Sequence, residues 1–231
     1  MKIFFKIINE LKTPSLKSPS TSSSIENKIK FAKFRNLAKI INAIQHNISK
    51  SKLYLAISIE PYELDSKKII EMGWCIFKKD GTIRKRKHVI VKENSELKNG
   101  NKLPDNRDNY LFGKTETQDM KDIIEDLRKD IDKVSYLVSH GVDNMISYFH
   151  ALNINIIKFS KMKNNRVPSC GIIDTMDLYA GKYSIQSESL EKCLKKLKIE
   201  YDKLHNAGKY KKDKSYILLF IIIYYYNFIN V

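Results

Sequence analysis

The sequence predicts an α/β fold built on a mixed sheet. Two strand-like runs, IIEMGWCIF at 69–77 and TIRKRKHVIVK at 82–92, flank Asp80-Gly81, a dipeptide suited to a tight hairpin turn. A third run, LYLAISIE at 53–60, precedes them and also reads as a strand. Downstream, helical and strand periods alternate, which implies parallel strands joined by helical crossovers. An antiparallel opening followed by that alternation gives a sheet with helices on both faces.

The elements follow in order. Residues 1–12 are a short amphipathic stretch interrupted by charge, too short for a secretory signal. Residues 13–24 (TPSLKSPSTSSS) lack apolar periodicity, so 1–24 read as a flexible N-terminal extension. Over 25–50, Ile25, Ile29, Ala32, Leu37, Ile41, Ile44 and Ile48 recur at mostly three- and four-residue spacing, accompanied by Lys28, Lys30, Lys33, Arg35 and Lys39. This is a basic amphipathic helix. Two readings stay open for it: packing on the main domain with solvated lysines, or contact with RNA, a membrane or a partner. After the strands comes a loop rich in Asn, Pro and Gly at 93–113 and a helix over 116–132. SYLVSH (135–140) reads as a buried strand, 142–152 as a helix, 158–167 as a lysine-rich loop, and IIDTMDLY (172–179) as another strand. A helix over 187–199 has Ser187 or Ser189 as its cap, and a last helix covers 214–226, leaving 227–231 as a tail.

Composition bounds the function. The 231 residues carry 42 Lys and Arg against 26 Asp and Glu, a formal +16. That excess suits an anionic partner, nucleic acid or a membrane surface, and says nothing about fold. Residues 1–53 hold 11 basic and 2 acidic side chains, more than half of the surplus. With 42% hydrophobic residues the chain can bury a core, which excludes wholesale disorder. Cys75, Cys170 and Cys193 are scattered, so no disulfide framework is expected and an intracellular location fits. The uncharged run from Ser215 to Val231 is short for a membrane span. It is expected to be a buried helix, with a tail anchor as the alternative. No Walker loop, GxGxxG, GxSxG elbow or zinc spacing is present.

Several segments occur in a telling order: YLAISIEPYE, IIEMGWCIF, VIVKENSELKNGNKLPDNRDNYLFGKTE, LVSHGVDNMI, IIDTMDLY, SLEKCLKKLKI and LHNAG. Over 52–226 they resemble the DEDDh-type 3′–5′ exonucleases of the RNase H-like superfamily. More narrowly, they are similar to a fungal-type RNase H-like branch linked to mRNA export. The resemblance implies a single RNase H-like domain, four carboxylates holding two divalent cations, Mg2+ or Mn2+, and a histidine base.

Against that pattern the site departs at several positions. The family's Asp-x-Glu on the first strand is Ser58 and Glu60 here, on one face by the strand period of two. A neutral hydroxyl does not replace a carboxylate that bridges two metals. After SHG, the family's Asp position is Met145, while Asp143 stands two residues earlier. Two residues turn a helix by about 200°, so Asp143 is expected to cap the helix, or to rescue the site if the helix begins late. In HNAG, His205 matches the family base. Tyr210 stands at the last carboxylate position, and Asp213 matches if three residues are inserted. Glu60, Asp143 and Asp213 are thus the candidate metal ligands, and Glu60 and His205 the candidate catalytic pair. Asp174 is expected to tie a strand end to neighbouring backbone.

The basic run Arg84 to His88 lies on a strand, so alternate members face one side, where they are either a solvated edge or a phosphate track. Arg84, Arg86, Lys161 and Lys163 are the candidate nucleic-acid contacts. The expected function is nucleic-acid binding, RNA rather than DNA, by a domain derived from an exonuclease with a degenerate site. An active non-standard exonuclease and a protein-interaction scaffold are the alternatives, and membrane association is not expected.

Overall fold

The opening hairpin turns where expected. Gly81 has φ 85°, a left-handed conformation that glycine adopts without strain. Asp80 Oδ1 accepts the Thr82 N–H at 2.8 Å, and the Lys78 N–H donates to the Thr82 carbonyl at 2.9 Å. The structure is a computed structural model and describes residues 25–49, 51–102, 105, 114–162, 166–183 and 185–196. The proposed helix over 214–226, together with His205, Tyr210, Asp213 and Lys163, lies outside the described residues.

Helix α1 spans Ile25–Asn47, followed by strands β1 Leu53–Tyr62, β2 Asp65–Lys78 and β3 Ile83–Val91. Then come β4 Glu116–Gln118, α2 Met120–Lys133, β5 Tyr136–Ser139, α3 Val142–Ala151, β6 Ser160–Lys161, β7 Gly171–Asp174, α4 Thr175–Tyr183 and α5 Leu190–Lys196. The sheet order is β4-β3-β2-β1-β5-β7-β6. Strands β1, β2 and β3 pair antiparallel, and the other pairings are parallel, as the α/β reading requires. No helix among the described residues is long and apolar enough to cross a membrane.

Three boundaries differ from expectation. Glu116–Gln118 is a strand, parallel to Val89–Val91, and the helix begins only at Met120. Lys161 and Ser160 form the short β6 inside the expected loop. The segment 172–179 is a strand only to Asp174, where the Asp174 carboxylate accepts the Met176 N–H at 2.9 Å and starts α4.

Alternation along each strand builds two cores. Tyr54, Ala56, Phe77, Tyr136, Val138 and Ile173 pack against helices α1, α4 and α5. Leu55, Ile57, Met72, Trp74, Val89 and Leu137 pack against α2 and α3 on the other face. The second face also carries a buried ionic lock. Asp130 of α2 accepts hydrogen bonds from Trp74 Nε1 at 2.9 Å, Lys85 Nζ at 2.5 Å and Lys133 Nζ at 3.0 Å. Burial alone would push this carboxyl up, but the three donors hold it below the ordinary carboxylate range.

Helix α1 docks through its apolar stripe, with Ile41, Ile44 and Ile48 in the first core and Phe34 and Leu37 against Ala180. The approach is close at Gly181, where an added Cβ would meet Leu37 Cβ at 2.5 Å and the Leu37 carbonyl carbon at 3.0 Å. Backbone is involved, so side-chain rotation cannot relieve the clash. Gly181→Ala is expected to push α1 off α4 and cost about 1–3 kcal/mol, the range of overpacking. Faster amide hydrogen exchange over 34–48 in this variant would show it, and unchanged protection would refute it.

Candidate functional site

The candidate site forms where β1 ends. The strand period sets Ser58 and Glu60 on the face of Tyr54 and Ala56, and the pairing with β2 breaks register just after Glu60. Ser58 Oγ donates to Glu60 Oε1 at 3.1 Å. Glu60 stands opposite Glu71 in the ladder. Glu71 is buried and its Oε1 is hydrogen-bonded to His88 Nε2, while His88 Nδ1 meets Thr115 Oγ1 at 2.9 Å. A polar row therefore crosses three adjacent strands.

The row sets the state of Glu60. Burial first, and then the charge of Glu71, raise its carboxyl to about 7, against a smaller opposing effect of the Ser58 hydrogen bond. Tyr148 of α3 lies within the field of Glu60, and burial with that negative charge pushes its phenol up. The linkage has a definite sign. The folded chain keeps a proton that the unfolded chain releases near 4.5, so stability falls as pH rises from 4.5 to 7. Glu60→Gln is expected to flatten that slope and to be more stable than wild type at pH 8, on the order of 2 kcal/mol. Chemical denaturation in chelator-containing buffer at pH 5 and 8 tests this, and equal pH slopes for the two proteins would sink it.

Met145, at the family's carboxylate position, is only 3% exposed and packs among Leu55, Ile57, Val142 and Phe149 in the second core. Asp143 points elsewhere. Its side chain is 85% exposed and hydrogen-bonded to Lys161 Nζ. It does not cap α3, contrary to the sequence expectation: Gly141 occupies that position, at φ 81°, with no side-chain cap bond of its own. Asp174 does the work from β7, accepting the Gly141 and Val142 N–H groups, each at 3.0 Å. The structural role expected for Asp174 thus has its geometry.

Asp143 instead borders a cleft of about 270 Å³ with Leu37, Gly141, Lys161, Asp174 and Asp177. Burial, then the charges of Asp174 and Asp143, raise the Asp177 carboxyl, and Lys33 and Lys161 work against them. His140 closes the adjoining strand end. Its Nε2–H donates to the Glu188 carbonyl at 2.8 Å and its Nδ1 meets Thr175 Oγ1 at 3.0 Å. Burial lowers its pKa, so it sits neutral in this clamp.

Carboxylates thus occur in two places: Glu60 beside Glu71, and Asp143, Asp174 and Asp177 spread around the cleft without converging on one point. Among the described residues, no three Asp, Glu, His or Cys side chains stand together as a metal ion requires. A hydroxyl at Ser58 and a sealed thioether at Met145 do not suit a pair of hard divalent cations, which take oxygen ligands, mostly carboxylates. The donors among the described residues do not by themselves make up the ligand set of the metal pair that the resemblance implies; Asp213 and His205 lie outside the described residues.

On β3, Lys85 and Lys87 turn toward α2, where Lys87 Nζ donates to Asp126 at 2.5 Å, and Arg84 and Arg86 are exposed. Strand β4 covers only Val89–Val91, so the first half of β3 is a sheet edge among the described residues. Sequence reasoning missed Glu71 and Tyr148. The signal for Glu71 was a lone acid inside the apolar run IIEMGWCIF; for Tyr148 it was the three-residue helical step from Met145.

Comparison with known proteins agrees with this architecture. The chain is 30% identical over 164 residues to an uncharacterised nucleolar protein of Schizosaccharomyces pombe, covering 67% of this chain and 63% of that protein. The chain thus spans less than two thirds of that relative's length. Residues 53–220 match the family model of the DNA polymerase III subunit epsilon-like, C-terminal domain. Sheet order, the Ser58–Glu60 strand and the matched span agree: the chain belongs to this DEDDh exonuclease-like family, with an RNase H-like fold.

Proposed function

We propose that this chain is a nucleic-acid-binding domain, descended from a DEDDh 3′–5′ exonuclease, whose catalytic site has degenerated. The observation that carries the reading is Met145, a sealed apolar side chain where the family chemistry needs a carboxylate. Ser58 at the bridging position supports it. Exposed Arg84 and Arg86 on the β3 edge suit phosphate contacts. Lys161, on β6 toward the opposite edge of the sheet, meets a phosphate only by exchanging Asp143 for it. The nucleolar relative favours RNA over DNA and an intracellular location, nucleus or cytoplasm.

The competing reading is an active exonuclease using Mg2+ or Mn2+, and it draws on the crowded Glu60–Glu71 pair. Calorimetric titration with either ion separates the two. The proposal expects no saturable binding at micromolar concentration. Tight binding together with 3′-end digestion of labelled single-stranded RNA would overturn it. A mobility shift of that RNA, weakening steeply with salt, is the expected binding result. Absence of any shift at low salt would leave the fold as a protein scaffold.

A further inference from the structure

We infer that the outer face of α1 is a contact surface for the RNA backbone. The inference rests on the nucleic-acid reading above and names an element that lies before the family-matched span of 53–220. Arg35, Lys39, Asn42 and His46 recur at steps of four, three and four, which places them within an arc of about 60° on a helix. Leu37, Ile41, Ile44 and Ile48, the buried stripe, lie on the opposite side. Docking on α4 and the first core therefore fixes the basic row outward as a rigid line about 16 Å long.

The charge on that line is uncompensated. No acidic residue occurs between Glu26 and Glu60. Elsewhere many lysines meet carboxylates: Lys85 with Asp130, Lys87 with Asp126, Lys92 with Asp119, Lys161 with Asp143, Lys196 with Glu188. Neither Arg35 nor Lys39 makes an ion pair or a side-chain hydrogen bond among the described residues.

The chemistry of the face selects a polyanion with hydrogen-bond acceptors. Arg, Lys, His and Asn all donate to phosphate and sugar oxygens. A lipid surface would need an apolar face free to enter the interface, and the apolar stripe of α1 is already buried in the fold.

The test is fluorescence anisotropy of a labelled single-stranded RNA with the full chain, across salt concentrations, comparing wild type with Arg35→Ala/Lys39→Ala. Neither substitution removes an ion pair or a buried contact among the described residues, and circular dichroism with thermal melting checks that the fold is kept. The expected result is affinity lower on the order of tenfold, with the salt slope reduced by about 1.4, or 0.7 per lost single-strand phosphate contact. Wild-type binding with an unchanged variant overturns this inference and leaves the proposed function standing. A wild type that binds no RNA overturns both. Loss of binding to phosphatidylserine vesicles in the variant, with RNA binding intact, would assign the face to a membrane and refute the RNA contact.

Discussion

Met145→Asp is expected to destabilise the chain by at least about 3 kcal/mol, and adding Ser58→Asp should not recover the loss. Met145 is 3% exposed among aliphatic and aromatic side chains of the second core. A carboxylate there enters an apolar cluster whose Trp74 Nε1–H is already given to Asp130, and burying a poorly paired charge ranks among the most costly substitutions. Met145→Leu, which keeps volume and polarity, should cost less than about 1.5 kcal/mol. Ser58→Asp brings a further negative charge beside Glu60 and Glu71, where repulsion already raises Glu60. Restoring both family carboxylates therefore recreates the residue types but not the site. Urea denaturation of the four proteins, with and without millimolar magnesium, measures this. A double variant as stable as wild type in chelator would mean that the α3 position opens freely to solvent, and the degenerate-site reading would lose its main support.

The parts of the fold that follow from local period were legible in the sequence. The three antiparallel strands, the Asp80-Gly81 turn, α1 and the strand before SHG all announce themselves by spacing of apolar residues. What escaped depends on distant partners. Glu116–Gln118 is a strand because Val89–Val91 offers it a parallel ladder, which three residues of local sequence do not reveal. The break at Asp174 was legible in principle. Asp174 and Asp177 stand at the spacing of an N-terminal helix cap and its third residue, but the apolar run IIDTMDLY hid it under strand-like character. In the site, the period of two put Ser58 and Glu60 side by side, since alternate residues on one strand share a face by geometry alone. The neighbours Glu71 and Tyr148 come from other elements. The assignment of Asp143 as a cap failed because its helix begins at Val142 and receives its acceptor from another strand.

That acceptor makes Asp174→Ala the second large effect. One carboxylate accepts three backbone N–H groups: Gly141 and Val142 at the start of α3, and Met176 in the first turn of α4. Two helices packed on opposite faces of the sheet thus hang on one side chain. Alanine leaves all three donors without their partner at once, at about 1 kcal/mol each, so the loss is expected to be about 2–4 kcal/mol. Asparagine keeps one acceptor oxygen and presents an NH2 group toward the remaining donors, so it should fall between wild type and alanine. Helix ends normally find capping partners within their own sequence; here α3 has only Gly141 at its cap, whose left-handed backbone brings no acceptor side chain. Loosening this joint moves the cleft wall that carries Asp143, while the row from Ser58 to Thr115 lies on strands that do not depend on it. Accordingly, Asp174→Ala should raise hydrogen exchange at 141–145 and 175–178 more than at 54–60. Uniform change across all three segments, or an alanine variant within about 1 kcal/mol of wild type, would show that water replaces the carboxylate and that the joint is not held by Asp174.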